Sequence, residues 1–287
     1  MMKMQDKRKL NIPLLILGLL ALAAGLYVAA LYDLQIDKAL YNPTFSPAIL
    51  VESCCYYVLY MPTAVLCALA ATDKKQKLWL RIVGGGLAVI AVIALCIYTT
   101  YSINKRGAEY ALYISLGIWV AILAVLFAVF RTQYSESFKK KAYFVCAWGT
   151  VLCALELSVI NIVKMFWNRT RFDDMLAAGS FEKFTPWFHP LGNGGTSFPS
   201  GHTASACGIL VLLIIVDVAP KLQKYRPAIF AFCLIYIGFT AFMRMMIGRH
   251  FLSDTLSAAT IMLVLFSIMT RTKPYRKALH NALEAPE

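Results

Sequence analysis

Two histidines, one aspartate and three basic side chains stand along the second half of this chain in an order that suits chemistry on a phosphate ester. Lys164 and Arg171 come first, then Ser200, Gly201 and His202 within Phe198-Pro199-Ser200-Gly201-His202, then Arg244, His250 and Asp254. Cations hold phosphate oxygens and offset the charge that develops on them during transfer. A histidine with one nitrogen held by a carboxylate presents the other as a nucleophile. A second histidine can hand a proton to the leaving oxygen. His250 and Asp254 are four apart, the spacing of neighbours on a helix. Lys164 and Arg171 are seven apart, which places them on one face about 10 Å apart if the helix carrying Lys164 runs on. Pro199 to His202 has the form of a helix N-terminus, where free N–H groups and the dipole favour an anion, and Gly201 lets backbone come close to a ligand. Arg244 would face away from His250 on one continuous helix, and Gly248 supplies the break. Each piece also has a plainer reading. Lys164 and Arg171 suit interfacial cations that snorkel beside Trp167, Ser200 to His202 a capped helix end, and His250 with Asp254 an interfacial salt pair.

The elements that must position these groups are membrane spans. The 287 residues are 60% hydrophobic and only 15% charged, where a soluble domain carries roughly a quarter charged residues. Spans of ~20 apolar residues read as eight: Leu10–Tyr32, Ala48–Ala71, Leu78–Tyr98, Tyr110–Phe130, Ala142–Val163, His202–Ala219, Ala228–Met246 and His250–Thr270. Gly84-Gly85-Gly86 weakens the third. The first is too long for a signal-peptide core and reads as an uncleaved span. The net charge of +13 comes mostly from clusters between spans: the N-terminal basic residues, Lys74 to Lys77, Lys139 to Lys141, Lys221 to Arg226 and Arg271 to Lys277. They fall on one side, which predicts a cytoplasmic location for both termini. No stretch interleaves basic and aromatic residues as a nucleic-acid groove does. All six motif groups then reach the outer face, Lys164 and Arg171 within the long loop from Lys164 to Gly201; a second outer loop spans Asp33 to Pro47. The eight cysteines lie inside apolar runs, which excludes a disulfide framework or a thiolate metal site. Compact loops without cysteine fit a bacterial cytoplasmic membrane.

In order and spacing, these residues resemble the type 2 phosphatidic acid phosphatase superfamily. Its pattern is Lys, six residues, Arg-Pro; then Pro-Ser-Gly-His; then Ser-Arg, five residues, His, three residues, Asp. Phe172 and Met243 stand where the family usually has Pro and Ser, which leaves the chemistry intact and alters loop geometry. The resemblance implies an all-α, polytopic membrane bundle: a six-helix family core plus an extra hairpin, the third and fourth spans, with no assigned role. It is one domain over 1–287, with N-terminal spans in 1–141, the motif-bearing core in 142–270 and a cytoplasmic tail in 271–287. It also implies that Lys164, Arg171 and Arg244 bind phosphate with Ser200 and the Gly201 backbone, that His250 attacks phosphorus, that Asp254 orients it, and that His202 protonates the leaving group and then activates water. No metal or cofactor is expected.

The function expected on these grounds is hydrolysis of a lipid phosphate or diphosphate, such as phosphatidic acid, phosphatidylglycerol phosphate or a polyprenyl diphosphate, on the non-cytoplasmic face. The partners are that lipid and the bilayer. Transfer to an acceptor hydroxyl and hydrolysis of a soluble ester use the same residues. An anion or lipid transporter is the rival from another class, but repeated halves and mid-membrane breaks are absent from the sequence. A scaffold without activity has no need of His202, His250 and Asp254 together. Glu156, inside the fifth span, is a functional candidate by location, with a motif cation or Asn161 as its expected partner. Asp217 reads as an interfacial charge, His189 as a loop histidine and His280 as a tail residue without a role.

Overall fold

The computed structural model describes residues 12–105, 113–114, 116–122, 124, 134–190 and 194–284. Among these, every regular element is a helix and there are no strands. In chain order the α-helices are α1 (Ile12–Leu40), α2 (Ser46–Cys54), α3 (Tyr57–Thr72), α4 (Leu78–Lys105), α5 (Glu136–Trp167), α6 (Phe172–Ala177), α7 (Gly201–Ala206), α8 (Val211–Val218), α9 (Arg226–Met246), α10 (Leu252–Arg271) and α11 (Lys273–Leu283). A 3-10 turn, Cys207–Leu210, joins α7 to α8 into one rod. Seven stretches among the described residues are long and apolar enough to cross a membrane, as in an integral membrane protein. The expected fourth span, 110–130, falls largely outside the described residues.

Three features of the helices differ from the sequence expectation, each for a local reason. Helix α1 runs to Leu40, eight residues past the end of its apolar run, so Asp33 and Asp37 lie on a helix and not in a loop. Their side chains are buried, so apolarity alone misplaced the boundary. Helix α5 begins at Glu136 because Ser135 caps it, its side chain accepting from Phe138 N, with Glu136 in the favourable first turn. Its 32 residues reach ~48 Å, well beyond a ~30 Å hydrocarbon core. The tail forms α11, whose Tyr275 is fully buried and donates to Asp217 at 2.6 Å; Asp217 also pairs with Arg226 at 2.6 Å. Asp217 is thus the anchor of the tail helix and not a free interfacial charge.

The glycine run in α4 does not interrupt the helix. A Cβ on Gly84 would come within 2.8 Å of the Cys67 carbonyl, so the small residue lets α3 and α4 touch backbone to backbone, as packing in lipid favours. Helix α3 also packs on α5, α1 on α10, and α9 on α7. The main core joins α5, α7–α8, α9 and α10 through Leu152, Leu210, Ile214, Ile237, Met262 and Phe266. This packing holds the C-termini of α5 and α9 and the N-termini of α7 and α10 at one end of the bundle.

Candidate active site

Helix α5 stops at Trp167, where Asn168 adopts a left-handed conformation with φ 51° and its N–H bonds to Lys164 O. Arg171 therefore does not share a helical face with Lys164; it arrives through the turn as the residue preceding α6. The two still meet electrostatically, and Arg244 acts on both. Lys164 Nζ donates to Thr196 O at 2.7 Å. The Nε atoms of Arg171 and Arg244 are buried without a hydrogen-bond partner among the described residues. Arg244 is 1% exposed and its Nη1 lies 2.9 Å from Glu52 Oε1. Glu52, on α2, is a second intramembrane carboxylate that the sequence reading passed over, although the argument applied to Glu156 picks it out equally.

Gly248, with φ 69°, makes the expected break between α9 and α10. Helix α10 starts only at Leu252, so His250 and Asp254 are not neighbours by helical register. Asp254 lies inside the first turn, where its Oδ2 accepts from Phe251 N at 2.9 Å. His250 precedes that turn, and its Nδ1 sits 2.7 Å from Ser197 O and 3.8 Å from Asp254 Oδ2. The shorter contact is the hydrogen bond; the longer one is an electrostatic neighbour. The Ser197 carbonyl thus orients the imidazole directly. Asp254 acts one step behind, accepting from Ser197 Oγ at 2.5 Å. A carbonyl on Nδ1 requires the proton there and leaves the Nε2 lone pair available. Burial drives the imidazole pKa from 6.5 down to about 3, the nearby Asp254 pulling the other way, so the ring is neutral at pH 7.

Asp254 is held by a residue that no motif contains. Arg169 is 1% exposed. Its Nη1 donates to Asp254 Oδ1 at 2.7 Å and Ser253 Oγ at 2.8 Å, its Nη2 to Asp33 Oδ2 at 3.0 Å, and its Nε to Thr185 O at 2.8 Å. Its guanidinium also lies 4.2 Å from the ring centre of Phe251. Ser253 N donates to Asp33 Oδ1 at 3.1 Å. The network ties α1, the turn after α5 and the start of α10 into one unit.

Ser200 caps α7: its Oγ accepts from Thr203 N at 3.3 Å and from Thr203 Oγ1 at 2.9 Å, and its own N–H donates to Asp254 O at 3.0 Å. Its oxygen is thus occupied by the helix, and the hydroxyl proton is what remains for a ligand. A Cβ added to Gly201 would meet Lys164 Cε at 3.6 Å, an ordinary contact. His202 lies within electrostatic reach of Arg244, His250, Arg171 and Lys164. Its Nε2 is 3.1 Å from the Tyr98 hydroxyl on α4. Glu156 accepts from Ser205 Oγ at 3.1 Å, while Asn161 donates to the Leu157 carbonyl at 2.6 Å. The carboxylate therefore ties α5 to α7 and not to Asn161. His189 stays in the loop, and His280 pairs with Glu284 at 3.0 Å on α11.

The arrangement gathers three cations and two imidazoles at one end of the bundle, a geometry able to seat a tetrahedral dianion and exchange a proton beside it. No curated protein and no solved structure matches the chain. A family model described as the PAP2 superfamily matches residues 142–278, which include every one of the motif residues. This stretch of the chain, from α5 into α11, belongs to the PAP2 superfamily.

Proposed function

We propose that this protein hydrolyses a lipid phosphate or diphosphate by metal-independent transfer to His250, on the non-cytoplasmic face of the membrane. PAP2 superfamily members are generally phosphatases, and the seven stretches long and apolar enough to cross a membrane support a substrate carried in lipid. The observation that carries the reading is that the buried Nε–H groups of Arg171 and Arg244 have no hydrogen-bond partner among the described residues, while both guanidinium groups act electrostatically on Lys164 and His202. Buried donors without acceptors are costly unless a ligand completes them, and a phosphate is the anion that guanidinium groups fit best. These cations supply the positive charge that a metal ion supplies in other phosphoryl-transfer sites.

In the first step the Nε2 lone pair of His250 forms a bond to phosphorus. The phosphorus–oxygen bond to the alcohol breaks, its electron pair goes to that oxygen, and His202 supplies the proton that completes the alcohol. In the second step water attacks phosphorus, gives a proton to His202, and the nitrogen–phosphorus bond breaks. His250 is again neutral and His202 again protonated, so the cycle closes. Positioning and charge stabilisation account for most of such a rate enhancement. Phosphatidic acid, phosphatidylglycerol phosphate and polyprenyl diphosphates all present the required group at headgroup depth, and an acceptor alcohol in place of water would make the same site a phosphotransferase.

The test is phosphate release by purified protein from a panel of these lipids with EDTA present, beside His250→Ala. The expected result is release unaffected by EDTA in the wild type and lower by several powers of ten in the variant. Near-normal turnover by His250→Ala removes His250 as nucleophile.

A further inference from the structure

We infer that Tyr98, on a helix outside the matched stretch 142–278, is the positioning residue of the general acid His202; the inference rests on the phosphatase reading above. Its hydroxyl stands 3.1 Å from His202 Nε2. Tyr56, between α2 and α3, lies 4.8 Å from the imidazole centre and meets Tyr98 edge to face at 4.9 Å. The His202 ring is therefore contacted at one nitrogen by a phenol and flanked by a second aromatic ring tilted at 47° to it.

The chemical kind of the partner matters. His202 must lose its proton in one step and regain it in the next. A carboxylate on the ring would hold it as the imidazolium and oppose the loss. A phenol is neutral: with its own O–H turned away from the ring, its oxygen accepts from Nε2–H in both states of the imidazole, and in that arrangement the transferred proton is the one on Nδ1. The leaving oxygen takes that proton as its bond to phosphorus breaks, while the His250–phosphorus bond forms. The contrast with His250 is informative, because there a rigid backbone carbonyl holds a ring that serves as a nucleophile.

A second observation places Tyr98 on the leaving-group side. A cavity of about 390 Å³ opens between α3 and α4, and Tyr56, Tyr60, Leu95 and Tyr98 form part of its wall. The two rings that hold His202 thus also bound apolar space, and the alcohol that departs from a lipid phosphate carries a hydrocarbon chain. The sequence reading left α4 without a role; through Tyr98 it becomes the element that aims the acid.

The test compares wild type, Tyr98→Phe and His202→Ala on dioctanoyl phosphatidic acid and on p-nitrophenyl phosphate. Tyr98→Phe keeps the ring and its contact with Tyr56 and removes only the hydroxyl. Nitrophenolate leaves without a proton, whereas an alkoxide needs one. The expected result is a loss in kcat/KM of about 10- to 100-fold on the alkyl ester and of less than about 3-fold on the nitrophenyl ester, the same pattern as His202→Ala with smaller amplitude. Equal losses on both substrates would show a structural role, and no loss on either would show none; each result overturns the inference. If wild type releases phosphate from neither substrate, the phosphatase reading fails and this one with it. If wild type is active, His250→Ala is dead and Tyr98→Phe behaves as wild type, only the role of Tyr98 fails.

Discussion

Arg169→Met offers the sharpest probe of how the site is held. The substitution roughly preserves side-chain length and removes the charge. Asp33 and Asp254, whose side chains are 1% and 0% exposed, would then share a dry site with no cation between them. Breaking a buried ion pair by removing one partner costs about 3–5 kcal/mol, and here one guanidinium serves two carboxylates, Ser253 Oγ and the Thr185 carbonyl. A loss of at least about 4 kcal/mol in unfolding free energy is the expected result. Arg169→Lys keeps the charge, but one ammonium cannot reach three directions as a planar fork does, so about half of that loss should remain. The double variant Arg169→Met, Asp33→Asn removes one of the two opposed carboxylates. It should recover part of the loss, with an interaction energy above about 1 kcal/mol. Chemical unfolding in detergent micelles measures the stabilities, and phosphate release below the transition measures activity, which should fall because the Asp254–Ser197–His250 line loses its anchor. Stability of Arg169→Met within about 1 kcal/mol of wild type, or strictly additive behaviour of the double variant, would refute the argument that this network is a coupled unit.

Three further predictions concern His250 and Gly201. Burial holds His250 near 3 while an exposed or unfolded histidine titrates near 6.5, so the free protein keeps its nucleophile unprotonated as pH falls through 6.5, and kcat/KM should show no acid-side loss centred there once substrate ionisation is allowed for. Because the unfolded chain takes up this proton near 6.5 and the folded chain only near 3, stability should fall as pH drops through that window; an acid limb at 6.5, or stability that rises on acidification, contradicts the buried neutral ring. Gly201→Ala should fold normally, since the new methyl makes only a 3.6 Å contact with Lys164, yet raise KM about tenfold by filling space beside a phosphate-binding lysine, a change worth ~1.4 kcal/mol. An unchanged KM would place the ligand elsewhere.

The sequence made the motif residues legible because their chemistry is restrictive: few arrangements use two histidines, a carboxylate and three cations in one order. The route by which they meet was less legible. Helical spacing was the argument for Lys164 with Arg171 and for His250 with Asp254, but Asn168 ends one helix early and α10 starts late, so turns and not registers bring these side chains together. Arg169 carried no signal beyond being a cation in an outer loop near an aromatic belt. Asp33 lies just past the end of an apolar run, where apolarity alone predicts a loop, yet α1 continues to Leu40. Glu52 had the same signal as Glu156, a carboxylate inside an apolar stretch. Tyr98 had none, since a tyrosine near the end of a span is ordinary at a membrane interface.

These omissions share a pattern that bears on mechanism. Asp33 on α1, Glu52 on α2 and Tyr98 on α4 all precede residue 142, where the family match begins. Each one completes a different charge or proton position: Asp33 through Arg169 to Asp254, Glu52 on Arg244, and Tyr98 on His202. The matched stretch carries the motif residues, and the N-terminal helices carry the carboxylates and the hydroxyl that contact Arg169, Arg244 and His202. Without Glu52, Arg244 would lose its paired carboxylate in a low-dielectric site, and without Asp33, Arg169 would keep only one of its two. The N-terminal half is therefore part of the electrostatic design of the site and not a membrane anchor appended to it.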